Sequence, residues 1–346
     1  MGQSERKLRI AMIGAGAISK FHLTAWRSLG SVELVAVCDV DPERARQRAD
    51  EFSVPSAFGS LEELLEVAKP DALDIATPIS THATILRLAA AHGIDCLCQK
   101  PLTEDLASSE AIAAELSSRI RLMVNENRRY MPPFATAREW IAAGRIGKVH
   151  QGIMTAFRGD YLMELDGFHR RSRTAPESAG SPRRYINEML IHQIDVLRAL
   201  LGPLKAIAAR TLPTDQDLRG DTLGTLLLET FEGAPVLVAG SGVAKGYPRR
   251  RFNDRLEIMG SRGSVIWSQE DSVLRLLGDE QQEVRFGVGE TGYAALYQSC
   301  FDAAAQLFRD GLINGTPFES DVRDNLETLR IVEDAYRLSG SAGTRA

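Results

Sequence analysis

The stretch "IGAGAIS", Ile13–Ser19, decides the fold. It follows an apolar run, Leu8–Ile13, that reads as a strand, and it opens a helical pattern from Ala17 to Leu29. Gly14 and Gly16 permit a tight turn and a close approach of backbone to a pyrophosphate, with Ser19 where a third glycine often stands. The helix that follows supplies amide donors and the positive end of its dipole, with Ala17 and Ile18 at its mouth. Asp39 ends the next strand, where a carboxylate accepts hydrogen bonds from ribose hydroxyls and repels a 2′-phosphate. NAD is therefore the expected cofactor; Arg44 and Arg46, just downstream, keep NADP as the alternative.

Outward from the loop, strand and helix patterns alternate. "ELVAVC", "ALDIAT", "IDCLCQ" and "IRLMVN" read as strands. Between them lie helices led by Pro42, Ser60, "THATILRLAAAHG" and Thr103. Such alternation predicts a doubly wound parallel sheet covered on both faces. After about Asn125 the pattern changes. "PPFATAREWIAAG" is a helix stopped by Gly144, and "VHQGIMTAF", "TLLLETFEGAPVLVAGSG" and "RLEIMGSRGSVIW" read as strands with hairpin joints. The expected fold class is α/β. Residues 1–126 form a Rossmann domain, and residues 127–346 a substrate-binding and oligomerisation domain on a large, open, mostly antiparallel sheet. A helical tail starts near Thr291, and its last helix is free to pack back on the first domain.

The bulk properties set limits on partners and location. The 346 residues are 44% hydrophobic and 25% charged, enough for a large core. A net charge of −5 gives no basic field for nucleic acid. No run is long enough to span a bilayer, and no signal-peptide pattern stands at the N-terminus. The four cysteines form no C-x-x-C pair, which fits a reducing cytoplasm.

Two places carry candidate chemistry. In "IDCLCQKPL" the apolar strand ends at Lys100, directly before Pro101. In "INEMLIHQIDVLRALLG", advancing about 100° per residue puts Glu188, His192 and Asp195 within roughly 60° of one another, opposite Leu190, Ile194, Leu197 and Leu201. Alcohol oxidation needs a proton carrier near working pH, which histidine supplies, and a cation to stabilise oxyanion charge, which a buried lysine supplies. A solvated polar helix face is the plainer reading of the same pattern. The spacing of the acids and His192 is not that of a metal motif, and no metal is expected.

"IGAGAISKFH", "VCDVDPERA", "IATPISTHATILRLAAAHGIDCLCQKPL" and "EMLIHQIDVLRALLG" together resemble the glucose–fructose oxidoreductase, inositol 2-dehydrogenase and rhizopine-catabolism (Gfo/Idh/MocA) family. The resemblance extends over most of the chain, through "LEIMGSRGSV" to "GTPFESDVRDNLETLRIVEDAY". It implies that Lys100 hydrogen-bonds the reacting hydroxyl and that His192 exchanges its proton. Glu188 stands where many members have Asp, and Asp195 matches the acid after the histidine. Thr77, Pro78 and His82 match the segment beside the cofactor, and Arg129 and Tyr130 resemble pocket residues, with a tie between the two domains as the equal alternative for Arg129. The resemblance further implies a homodimer or homotetramer built through the C-terminal sheet.

Two departures stand out. Gln99 replaces the glutamate that in the family touches the nicotinamide ribose. Gln still accepts a hydrogen bond, but the grip weakens, and an anion beside Lys100 is lost, so burial is expected to lower the lysine pKa. Glu188 adds a methylene relative to Asp, which re-aims His192 or turns Glu188 to the substrate. Arg184, with Arg170, Arg171, Arg173 and Arg183, raises an anionic substrate as one reading and surface charge or a subunit contact as the other. The loop Lys245–Arg255 carries the same two readings. The leading expectation is an NAD(P)-dependent dehydrogenase acting on a secondary hydroxyl of a sugar, cyclitol or related cyclic diol. The rivals are redox-assisted bond cleavage with tightly held NAD and a non-catalytic dinucleotide-binding regulator.

Overall fold

A computed structural model describes residues 6–159, 181–214, 220–247, 253–287 and 289–340. The chain forms two compact units, Met1–Tyr130 with Tyr297–Leu326, and Met131–Leu296 with Glu327–Ala346.

The first unit holds a six-stranded parallel sheet. Its strands are β1 (Leu8–Ile13), β2 (Val32–Cys38), β3 (Ala57–Phe58), β4 (Ala72–Ile75), β5 (Asp95–Gln99) and β6 (Leu122–Asn125). The order is β3-β2-β1-β4-β5-β6, so the chain reverses direction across the sheet between β1 and β4. In doubly wound sheets ligands bind at that switch point, beyond the carboxyl ends of the strands. Every residue of β4 and β6 is buried, as expected for strands covered on both faces. Helix α1 (Ser19–Ser28) buries His22, Leu23 and Trp26. Leu23 joins Met12, Val37 and Phe52 in one cluster, each such side chain contributing about 1.5–3 kcal/mol. Helices α2 (Pro42–Phe52) and α3 (Leu61–Ala68) are capped by Asp41 and Ser60, whose side chains accept from the first-turn amides.

Helix α4 (Ile79–Ala91) buries His82 and Leu86, and helix α5 (Leu106–Leu116) starts later than expected. Asp105, not Thr103, is its cap and accepts from Ser108 N, while the Thr103 hydroxyl pairs with Ser109 at 2.6 Å. An aspartate two residues on competes successfully for the same amides. The short β3 gave no periodicity to read.

The second unit holds an eight-stranded sheet, antiparallel except where β10 (Pro235–Ser241) runs parallel to β7 (Val149–Phe157). β9 (Leu223–Thr230), β11 (Asn253–Gly260) and β12 (Gly263–Ser268) lie where the hairpin patterns placed them. β8 (Leu204–Leu212), β13 (Val273–Gly278) and β14 (Gln282–Arg285) are additional. "LKAIAARTL" pairs with β9 through a register shift at Ala206/Ala208, which breaks its alternation. The helical tail is two helices, Gly289–Asn314 and Val322–Leu338. Gly315, at φ +66°, directly follows the first of them.

Candidate functional site

The phosphate loop has the geometry its glycines require. Gly14 stands at φ +98°, and a Cβ there would lie 2.4 Å from the Ala76 carbonyl oxygen. Only glycine fits both constraints. A Cβ on Gly16 would meet nothing within 4 Å, so its open side leaves room for a ligand. The N-terminus of α1 has no side-chain cap and no acid in its first turn. Its dipole suits a pyrophosphate, while Ser19 N and Phe21 N turn to Gly16 O and Ile18 O at 3.2 and 3.0 Å. Ser19 is buried and turns its hydroxyl to Gly16 O at 2.7 Å, while Arg48 donates to Ala15 O and Gly16 O from below. These residues fit a dinucleotide.

Asp39 is 9% exposed and clamps this loop. Oδ2 accepts from Ala15 N at 2.8 Å and Oδ1 from Asp41 N at 3.0 Å. Each carboxylate oxygen keeps acceptor capacity for a ribose hydroxyl. Arg44 approaches Oδ1 at 3.7 Å and is half exposed.

Thr77, Pro78, His82, Gln99 and Lys100 cluster beyond β4 and β5. His82 was expected beside the cofactor; its ring is 1% exposed and braces backbone instead. Nε2 lies 3.0 Å from Thr77 O, and Nδ1 lies 3.2 and 3.1 Å from Pro101 O and Leu102 O. Burial lowers its pKa, against the pull of those carbonyls. Gln99 and Lys100 are partly exposed at the end of β5. The Gln99 amide is already engaged: Nε2 lies 2.8 Å from His22 Nε2, and Oε1 accepts from Lys100 N at 3.2 Å.

Gln99 does not leave Lys100 without a carboxylate neighbour. Glu126, one residue past β6 and fully buried, is that neighbour. Burial pushes its pKa up to about 7; Lys100 is the strongest charge opposing the rise, followed by Arg129. Sequence reasoning missed Glu126, although an acid directly after an apolar strand was a usable signal. Arg129 and Tyr130, expected at a substrate, are 4% and 7% exposed. Arg129 pairs with Asp324 at 2.6 Å, and the Tyr130 hydroxyl donates to Ser320 at 3.2 Å. Both hold the returning segment of the first unit.

In the second unit Glu188 lies on a π-turn, Ile186–Leu190, that leads into the helix Ile191–Leu201 with His192 in its first turn. The π-turn widens the spiral between residues 188 and 192, so the 100° arithmetic does not carry across it. Glu188 and His192 are half-buried. Asp195, expected to face the substrate with them, is 0% exposed and accepts from the Thr328 hydroxyl at 3.0 Å. The helix packs on both α6 (Pro132–Ala142) and β7, so the face read as polar is mostly interior. Arg184, also expected at the substrate, is 1% exposed, and Arg183 is bidentate to Glu333 at 2.5 and 2.8 Å. Arg170, Arg171 and Arg173 lie outside the described residues.

Two family profiles match the chain. "Oxidoreductase family, NAD-binding Rossmann fold" covers residues 8–126, and "GFO/IDH/MocA C-terminal domain" covers residues 134–266. The chain belongs to the Gfo/Idh/MocA oxidoreductase family. It is an oxidoreductase built on an NAD-binding Rossmann unit. Among Gfo/Idh/MocA relatives, the D-apiose dehydrogenase of Rhizobium rhizogenes is 27% identical, covering 98% of this chain and 97% of its own. The inositol 2-dehydrogenase of Rhizobium meliloti is 27% identical, covering 95% of this chain and 96% of its own. A solved oxidoreductase from Agrobacterium radiobacter, in complex with NAD+, L-tartaric acid and magnesium, superposes with a TM-score of 0.85 at 26% identity, over 96% of both chains. No helix among the described residues is long and apolar enough to cross a membrane.

Proposed function

We propose that this Gfo/Idh/MocA protein is a dehydrogenase that oxidises a secondary hydroxyl of a sugar, cyclitol or related cyclic diol, with NAD as hydride acceptor. The observation that carries the reading is the near full-length match to dehydrogenases named for apiose and inositol. The nicotinamide supplies the hydride chemistry. The protein's residues bind, orient and move the proton. Lys100 donates to the reacting oxygen, His192 takes the hydroxyl proton, and Glu188 orients the imidazole. Glu126, which gains its charge as pH rises through about 7, supplies the carboxyl counterpart of Lys100.

Among the described residues of the arginine-rich stretch, Arg183 is committed to Glu333 and Arg184 is buried, which favours a neutral polyol over an anion. Subunits associate through the exposed face of the eight-stranded sheet. Leu227 and Leu237, paired across β9 and β10, are 38% and 37% exposed there. Light scattering on the purified chain checks that association.

The deciding experiment is a spectrophotometric screen of D-apiose, myo-inositol, other polyols and sugar acids with NAD and with NADP. NADH formation with a neutral polyol is the expected result. Product formation without net NADH would replace this reading with redox-assisted cleavage.

A further inference from the structure

A buried chain of hydrogen bonds links β4, α1 and β5. Asp74 on β4 is 1% exposed. Its Oδ2 accepts from Trp26 Nε1 at 2.6 Å and lies 2.7 Å from His22 Nδ1. An ionised carboxylate only accepts, so Nδ1 of His22 carries a proton. At the other end, Gln99 Oε1 accepts from Lys100 N, and this contact fixes which end of the amide is oxygen. The atom 2.8 Å from His22 Nε2 is then the amide nitrogen, which only donates. His22 Nε2 therefore presents its lone pair. One tautomer, Nδ1–H with a bare Nε2, satisfies Asp74, Gln99 and the Asn125 Nδ2 that lies 3.5 Å from Nε2 and also donates. Cys96 and Cys98 also feel Asp74, and burial pushes both thiols up. The edge of the His22 ring meets Phe301 at 5.1 Å between centroids.

This polarity has a consequence at the ligand. Gln99 gives one N–H to His22, and its oxygen is engaged by Lys100 N. Gln99 is partly exposed, and its amide has a second N–H to give. A glutamate at this position could only accept. We propose that His22, anchored by Asp74, is a positioning residue that makes Gln99 a hydrogen-bond donor to the cofactor, so that the group met there is an oxygen lone pair of the nicotinamide ribose or carboxamide. The inference corrects the sequence-based expectation that Gln99 acts as an acceptor, and its cofactor clause rests on the dehydrogenase reading above.

The test has two arms. The first is the nitrogen-15 spectrum of the histidines in the full-length protein without ligand, with His22 assigned by its loss in His22→Gln. At pH 7 the expected pattern is a protonated Nδ1 and a bare Nε2, changing in Gln99→Glu to two protonated nitrogens. A protonated Nε2 in the unsubstituted protein overturns the proposal whatever the enzyme's activity. The second arm is calorimetric NAD binding. His22→Leu is expected to weaken binding about tenfold, the worth of one hydrogen bond. His22→Gln, which restores an acceptor oxygen, should recover most of that loss, and kcat at saturating NAD should change less than KM for NAD. Equal losses in both variants would overturn the positioning role. Failure of the unsubstituted protein to bind NAD would instead overturn the dehydrogenase reading and leave the tautomer result standing.

Discussion

The Tyr336 hydroxyl donates to Asp221 Oδ1 at 2.9 Å, and that carboxylate also holds the start of the π-turn. Asp221 accepts from Arg184 N and Ile186 N, each at 2.8 Å, just ahead of Glu188. Burial raises its pKa while those three donors oppose the rise. Removing the acceptor strands two buried amides. Asp221→Ala should destabilise the protein by about 3 kcal/mol and Tyr336→Phe by about 1 kcal/mol in denaturant titrations. Asp221→Ala should also lower kcat, because the turn carrying Glu188 loses its anchor.

Glu126 makes stability depend on pH. Its folded pKa, about 7, lies above the ordinary 4.5. Below about pH 4.5 the carboxyl is protonated in both states and imposes no penalty. As pH rises toward 7 the unfolded chain ionises first, and stability is lost. The loss approaches about 3 kcal/mol for a shift of this size. Glu126→Gln should abolish this component, so its melting temperature should gain on the unsubstituted protein between pH 4.5 and 7 and hold that gain above.

The two loop glycines should respond differently. Gly14→Ala forces a Cβ against Ala76 O at positive φ and should cost about 2–4 kcal/mol of stability. Gly16→Val meets open space and should leave the melting temperature nearly unchanged. It should weaken NAD binding at least tenfold, because the side chain occupies the ligand's room. Calorimetry of binding and of unfolding separates the two effects.

Asp39→Ala removes a carboxylate beside the half-exposed Arg44. The preference in kcat/KM for NAD over NADP should fall by about tenfold or more, since the repulsion of a 2′-phosphate is gone and Arg44 can receive it. Stability should fall by about 1 kcal/mol, the worth of the Ala15 N contact. Steady-state kinetics with both cofactors check the ratio.

Lys100→Ala and His192→Ala should each lower kcat by about 10²–10⁴ without unfolding the protein, as circular dichroism would verify.

The parallel sheet was legible because buried strands and amphipathic helices alternate cleanly from Leu8 to Asn125, with capping residues at their borders. The place of Lys100 directly after a buried strand was legible, and its catalytic role is a proposal. Asp195 and Arg184 were misread as ligand-facing. Helical periodicity assumes an unbroken spiral with one wet side, whereas a π-turn precedes this helix and neighbours cover it. Glu126 escaped because its place directly after an apolar strand marks an acid near a strand end without fixing that it is buried. The Asp74–His22–Gln99 chain joins residues up to 77 positions apart and depends on strand order. β8 was hidden by its alanines, which favour helix over strand.

The dinucleotide half is discontinuous in sequence, and this limits how the gene can be cut. Residues 297–326 return to that half. Phe318 lies under the Arg121 guanidinium at 4.3 Å, Ser320 O receives Val124 N at 2.9 Å, and Asp324 holds Arg129. A fragment ending at Tyr130 would expose those surfaces and lose the partner of a buried arginine. A transplantable module must therefore splice 1–130 to 297–326 through a short linker, and swaps with related enzymes need three crossover points rather than one.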